Sequence, residues 1–389
     1  MPYRIMKRFV ILTILLLGSA LMVQAQKSKV IAVFHLIETS KYGEAKTAIE
    51  EAIKDKRTWG WPRTWYARGL LCQTAYEEGK KENDKKKYEL YTDQLEVALE
   101  SYRKALSYDR SGRMDDQVAP YLVKLANAFL ETGEKHYKNG KYKEALEAYE
   151  HAMDINGSPV LTVKKDTNLV YNAALAAYQS QSWEKATGYL TTLNEYRYAP
   201  NVPLLLSRIH LAEEDSVAAV EALREGAEKY DYHEEVVLEL TDMLYQTGQI
   251  DEAVDVLDRA RALNPEQYVF PYTTGLVYQK AERYSEAIEA YREALELAPD
   301  EGKIYRHIGT CYYNMGVDIR ARARSITNIN RYRQEKERST ESFRSAVTWF
   351  EKALGKEPGN REVMEKLSEL YKLLNQTGKF NSMKEQLQG

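Results

Sequence analysis

Five arginines crowd one short stretch of this 389-residue chain: Arg320, Arg322, Arg324, Arg331 and Arg333. Lys336 and Arg338 extend the run, so segment 320–338 carries seven basic side chains against only Glu335 and Glu337. That is a surplus of five positive charges in a chain whose formal net charge is −3. A guanidinium fork pairs with carboxylates and phosphates, so the chemistry on offer is the docking of an anion. An acidic protein loop, a polyanionic glycan or a lipid headgroup would each fit. The competing reading is a solvated tip whose arginines pair with neighbouring acids, because charge runs commonly have no specific ligand. Tyrosine is the second population of interest, with 30 residues against 7 phenylalanines. It suits half-buried positions, where the ring packs and the hydroxyl reaches water or a partner.

Covalent and metal chemistry find no comparable support. The histidines (His35, His136, His151, His210, His233 and His307) have no metal-ligand neighbour at turn spacing. His233-Glu234-Glu235 lacks the second histidine that a zinc-binding helix needs. There is no phosphate-cradling glycine loop, nucleophile elbow or CxxC pair. Asn156-Gly157-Ser158 and Asn375-Gln376-Thr377 are glycosylation sequons only in a eukaryotic host. The residues therefore point to a non-enzymatic chain with no metal and no cofactor, whose function lies in its surface.

The elements that must position this surface follow from a repeated spacing. Ala287, Tyr291 and Ala294 share one helix face, closed by Pro299, while Gly275 and Tyr278 share a face of the helix before it. The triad recurs 34 residues upstream as Ala253, Leu257 and Ala260, followed by Pro265, and 34 earlier again as Ala219, Leu223 and Gly226. Further back lie Ala186, Leu190 and Leu193, then Ala145, Tyr149 and Ala152. Ala98, Tyr102 and Ala105 precede these, after Ala45, Ile49 and Ala52. Downstream come Ala346, Phe350 and Ala353, closed by Pro358, which makes eight copies. Small residues let two helices approach closely, and the bulky residue between them fills the space above.

A helix–turn–helix unit with this period resembles the tetratricopeptide repeat over nearly all of the chain after residue 26. The family's first-helix pattern is clearest at Trp65 and Gly69, at Gly275 and Tyr278, and at Tyr305, Ile308, Gly309 and Tyr312. The resemblance implies an all-α, right-handed solenoid of stacked helix pairs. It also implies a concave groove lined by the first helix of each pair, where an extended peptide or a partner helix binds. Carried over through the register, Tyr66, Tyr137, Tyr171, Asn172, Tyr178, Tyr245, Tyr272, Arg306, His307 and Tyr313 fall on or near that inner face. The carboxylate-grasping lysine and asparagine set of chaperone-binding relatives is absent, so capture of a free C-terminus is not expected. Repeats in a solenoid touch only their neighbours, so Cys72 and Cys311, in copies two and eight, are expected as unpaired core thiols.

Departures from the repeat define the domain organisation. Segment 26–165 holds the first repeats and a long hairpin at 62–112. There, Tyr88, Tyr91, Leu95, Ala98, Tyr102 and Ala105 form a coiled-coil-like stripe that predicts a second helix starting near Asp84. Pro159 predicts a bend. Four regular repeats occupy 166–301, an elongated hairpin 302–360, and a worn capping pair 361–389. At the N-terminus, Arg4, Lys7 and Arg8 precede an uncharged apolar run from Phe9 to Val23 and the small residue Ala25. Residues 1–25 thus read as a cleavable signal, and the protein as exported, periplasmic or secreted. Membrane contact would follow if that segment were retained. Without it the balance is 52 basic to 58 acidic residues, which argues against a general nucleic-acid binder.

Overall fold

The protein is described from a computed structural model covering residues 26–162 and 166–388. Among the described residues all regular structure is helical, in nineteen helices. The chain is an all-α solenoid of antiparallel helix pairs. It divides into two compact units, Met1–Tyr189 and Leu190–Gly389.

In the first unit, residues 26–38 (α1) pair with Tyr42–Ala52 (α2). Thr58, buried between repeats, donates to the Ala52 carbonyl at 2.7 Å, and Thr64 donates to the Thr58 carbonyl at 2.8 Å. Pro62 then opens Pro62–Glu82 (α3), taking the first helical position, where no amide hydrogen is needed. Next come the single turn Lys85–Tyr88 (α4), then Gln94–Tyr108 (α5), Arg113–Lys138 (α6), Tyr142–Asn156 (α7) and Thr167–Gln179 (α8). Trp183–Glu195 (α9) spans the boundary in sequence. The second unit continues with Asn201–Ala212 (α10), Ser216–Lys229 (α11), Glu234–Gln246 (α12), Ile250–Leu263 (α13), Val269–Lys280 (α14) and Tyr284–Leu297 (α15). Gly302–Ala323 (α16) and Ile329–Lys356 (α17) form the second long hairpin, and Arg361–Leu373 (α18) and Thr377–Gln388 (α19) close the chain.

All eight triads are buried. In the four triads with an aromatic centre, the ring's partner is a glycine on the facing first helix. A β-carbon on Gly275 would stand 2.5 Å from the Tyr291 ring, so only hydrogen lets the ring seat there. Gly69 under Tyr102, Gly133 under Tyr149 and Gly309 under Phe350 repeat the arrangement. The long hairpin of the second unit adds a second such contact, Gly316 under Phe343.

The continuous second helix expected from Asp84 does not form. The chain makes only α4, breaks at 89–93 with Asp93 in the left-handed region at φ 53°, and restarts at Gln94. Burial of Gln94 is the physical reason. Its amide donates to the carbonyls of Cys72 at 2.8 Å and Lys87 at 3.1 Å, and its side-chain oxygen accepts from the Tyr91 amide at 3.1 Å. The half-buried Tyr91 amide and Lys87 carbonyl at the break are thereby satisfied, and the second helix is tied to α3. α4 lies so close on α3 that a β-carbon on Gly79 would stand 2.5 Å from the Tyr88 nitrogen. Cys72 and Cys311 are both free and buried. Residues 1–25, expected as a cleavable signal, lie outside the described residues, as do residues 163–165 beside the bend expected at Pro159.

Candidate functional site

The first helices of successive pairs in the second unit, α12, α14, α16 and α18, carry the candidate surface. The first three offer tyrosines, and in each case the next first helix offers the cation that covers them. Lys280 Nζ of α14 lies 4.8 Å from the Tyr245 ring centre of α12. Lys303 of α16 lies 5.1 Å over Tyr272 of α14 and 5.2 Å over Tyr268, whose hydroxyl accepts its proton at 3.0 Å. Lys366 of α18 lies 4.5 Å over Tyr313 of α16, whose hydroxyl donates to Glu369 at 2.7 Å. Arg306 reaches across to Glu362 at 3.0 Å. Cation–π pairs of this kind contribute about 0.5–1 kcal/mol each when exposed, so they order the face without burying it.

Beneath this row lies a polar core. The Tyr272 hydroxyl donates to His307 Nε2 at 3.2 Å, and His307 Nδ1 donates to Gln279 Oε1 at 3.0 Å. Gln279 Oε1 also accepts from the buried Tyr291 hydroxyl at 2.8 Å. The imidazole stacks on the Tyr291 ring at 5.3 Å and 24°. In the neutral ring the proton sits on Nδ1, facing the Gln279 oxygen, and Nε2 accepts from Tyr272. Burial first, and then the Arg306 charge, hold its pKa down at about 4. A histidine held in this way supports packing and is poorly suited to shuttle protons near neutrality.

The structure therefore brings together Tyr272, Arg306 and His307, with Tyr245 and Tyr313 on the same row. In the first unit the named residues pack in separate places. Tyr66 sits in an aromatic cluster with Phe34, Tyr102 and Tyr121, at centroid distances of 5.8, 6.3 and 5.9 Å, and burial drives its pKa up. Tyr137 meets Tyr142 edge-on at 5.2 Å, and Tyr178 meets Trp183 at 5.6 Å. Tyr171 and Asn172 are half-buried on α8.

Arg320, Arg322, Arg324, Arg331 and Arg333 are all exposed at the tip of the α16–α17 hairpin. Among the described residues no carboxylate pairs with any of the five. Three nearby acids are taken by other partners: Glu335 by Arg338 at 2.8 Å, and Glu337 and Glu341 by Arg344 at 3.1 and 3.0 Å.

Sequence reasoning misses two features. Gln279, the hub of the polar core, has no pattern of its own to mark it. A cleft of about 890 Å³ in the first unit, between the α3–α5 region and α6–α7, is lined by Tyr76, Tyr88, Phe129, His136, Glu96 and His151 among others. Its wall is the 89–93 break, which the continuous stripe concealed. Burial, and then Asp93, raise the Glu96 pKa, although His151 Nε2 stands 4.0 Å away. Among the described residues, no cluster of three or more histidine, cysteine or acidic groups is placed to hold a metal. Burial pushes both cysteine thiols up to about 12, which leaves them inert at neutral pH.

Tetratricopeptide-repeat family models match residues 210–269 and 272–301. The chain is 23% identical over 220 residues to the TPR repeat-containing protein YpiA of Bacillus subtilis, covering 56% of this chain and 49% of that protein. It is 24% identical over 285 residues to the BBSome complex member bbs-4 of Caenorhabditis elegans, covering 71% of this chain and 54% of that protein. The chain thus spans about half the length of these relatives. A crystal structure of the C-terminal part of a TPR repeat-containing protein from Cytophaga hutchinsonii aligns with a TM-score of 0.46 at 13% identity, covering 66% of this chain and 93% of that one.

Proposed function

We propose that this tetratricopeptide-repeat protein is a non-catalytic scaffold that grips a partner protein, as an extended peptide or a helix, along its first-helix face. The observation that carries the reading is the row of tyrosines and cations from Tyr245 to Lys366, ordered in register across four successive first helices. Rigid, amphipathic rings offer contact area at low entropic cost, and the adjacent cations select acidic or carbonyl-rich segments. The reading includes export to a periplasmic or extracellular space, which rests on the order of basic, apolar and small residues in segment 1–25 alone.

The test is a random-peptide display against the immobilised full chain, repeated with Tyr272→Ala and Tyr313→Ala. Removing either ring should weaken selected peptides by about 10–30-fold, the loss expected at a central contact. Peptides that bind both variants as tightly as the parent chain would overturn the placement of the site. A second reading is favoured by the five arginines without carboxylate partners: binding of a polyanionic glycan or lipid at the α16–α17 tip.

A further inference from the structure

The tip of the α16–α17 hairpin combines three features that a solvated charge cluster does not require. First, it projects. α16 has 22 residues against 12 in the regular first helix α14, which extends it by ~15 Å at 1.5 Å per residue. That is about two Debye lengths at physiological salt, so acidic residues at the hairpin base do little to neutralise the tip. Second, the arginines sit at both helix ends that meet there. Arg320 and Arg322 lie in the last turn of α16, where the helix dipole welcomes cations. Arg331 and Arg333 lie near the start of α17, where the dipole opposes them. Dipole complementarity therefore accounts for the three arginines at the end of α16 and leaves Arg331 and Arg333 unexplained.

Third, the apex is a defined turn that carries two isoleucines. Ile329 opens α17 with 59% of its surface exposed, and Ile326 lies half-buried beside it in the turn. The turn is held by the Asn328 side chain, which accepts from the amides of Asn330 and Arg331 at 3.1 Å each. The Ile326 amide donates to the Ala323 carbonyl at 3.0 Å. An isoleucine at the point with arginines behind it matches the layering of a bilayer surface, where acyl chains lie beneath a sheet of phosphates. A soluble polyanion would use the arginines and leave the isoleucine in water.

We infer that the α16–α17 tip docks on an anionic lipid surface, with Ile329 entering the headgroup boundary and Arg320, Arg322, Arg324, Arg331 and Arg333 pairing with lipid phosphates. The inference rests on the tip reading given above and narrows it to one ligand class. The experiment measures partition of the full chain between buffer and vesicles, either mixed phosphatidylglycerol and phosphatidylcholine or phosphatidylcholine alone. Retention on dextran sulfate is measured in parallel. The ratio of anionic to neutral partition is compared between variants, so any contribution from the apolar segment 9–23 is common to all.

Each of Arg320→Gln, Arg324→Gln and Arg331→Gln should lower the ratio about five-fold, and the triple variant about a hundred-fold. Ile329→Asn should lower anionic-vesicle partition about five-fold and leave dextran sulfate retention unchanged. An arginine-dependent loss of dextran sulfate retention, with vesicle partition unmoved by either kind of variant, would overturn the lipid assignment and keep the tip as a polyanion site. If the arginine variants change neither vesicle partition nor dextran sulfate retention, both the assignment and the tip reading fail. All four positions are exposed, so circular dichroism should show the variants folded as the parent chain is.

Discussion

The glycine under each aromatic ring predicts that one substitution will act with opposite sign at two helical positions. At Gly275, alanine brings its usual helix-propensity gain of about 1 kcal/mol. It also places a β-carbon 2.5 Å from two ring carbons of Tyr291, closer than real contacts come. The ring has nowhere to go. Tyr291 is fully buried, its hydroxyl is tied to Gln279 at 2.8 Å, and His307 and Tyr272 press on it at 5.3 and 5.8 Å. Overpacking of a tight core costs about 1–3 kcal/mol, so once the propensity gain is subtracted Gly275→Ala should be destabilising by up to about 2 kcal/mol net. Gly188, exposed within α9, has nothing within 4 Å of its virtual β-carbon. Gly188→Ala should therefore stabilise by about 0.5–1 kcal/mol. Urea titration followed by circular dichroism reads both. Hydrogen exchange should localise the Gly275→Ala loss to α14 and α15, because stability in repeat arrays is local. If Gly275→Ala equals or exceeds the parent in stability, the interlock carries no strain and the reasoning is refuted.

Two further outcomes are expected. The His307 pKa of about 4 lies below its unfolded value of 6.5, so the unfolded chain takes up a proton that the folded chain refuses. Stability should fall as pH drops from about 6.5 to about 4 and, for this group, stay level below that. The loss is about 1–2 kcal/mol once the partial exposure of the ring is allowed for. His307→Gln should flatten that part of the pH–stability curve, and an imidazole titrating near 6.5 by NMR would contradict the assignment. Gln94→Leu keeps the volume but leaves the Tyr91 amide without its acceptor and removes the side-chain bonds to the Cys72 and Lys87 carbonyls, the second of which keeps the Leu90 amide. It should cost about 2–3 kcal/mol in urea unfolding and open residues 84–93 to proteolysis, whereas unchanged cleavage there would contradict the role given to Gln94.

The fold was legible where it depends on spacing along one helix. Ala287, Tyr291 and Ala294 lie on one face whatever surrounds them, so their burial follows from helical geometry. The α4–α5 break was not legible, because Tyr88 to Ala105 keep a perfect helical stripe. What interrupts it is Gln94 reaching the Cys72 carbonyl, 22 residues away in the chain. At the surface, sequence placed Tyr272, Arg306 and His307 on the first-helix face but could not see Gln279 joining them. The basic tip was visible as composition. That its arginines stay unpaired was not, since it depends on Glu337 turning to Arg344 rather than to Arg333.

The doubled interlock in the long hairpin sets a ruler for its growth. Gly309 and Gly316 lie seven residues apart on α16, as do Phe343 and Phe350 on α17, so each ring–glycine rung spans two helical turns. Lengthening either strand by a single residue would rotate everything beyond it by ~100° and unseat the outer ring. The hairpin can therefore lengthen without losing a rung only in balanced steps of about seven residues per strand. A tip carried on such a frame changes its reach in jumps of ~10 Å while keeping the direction it faces.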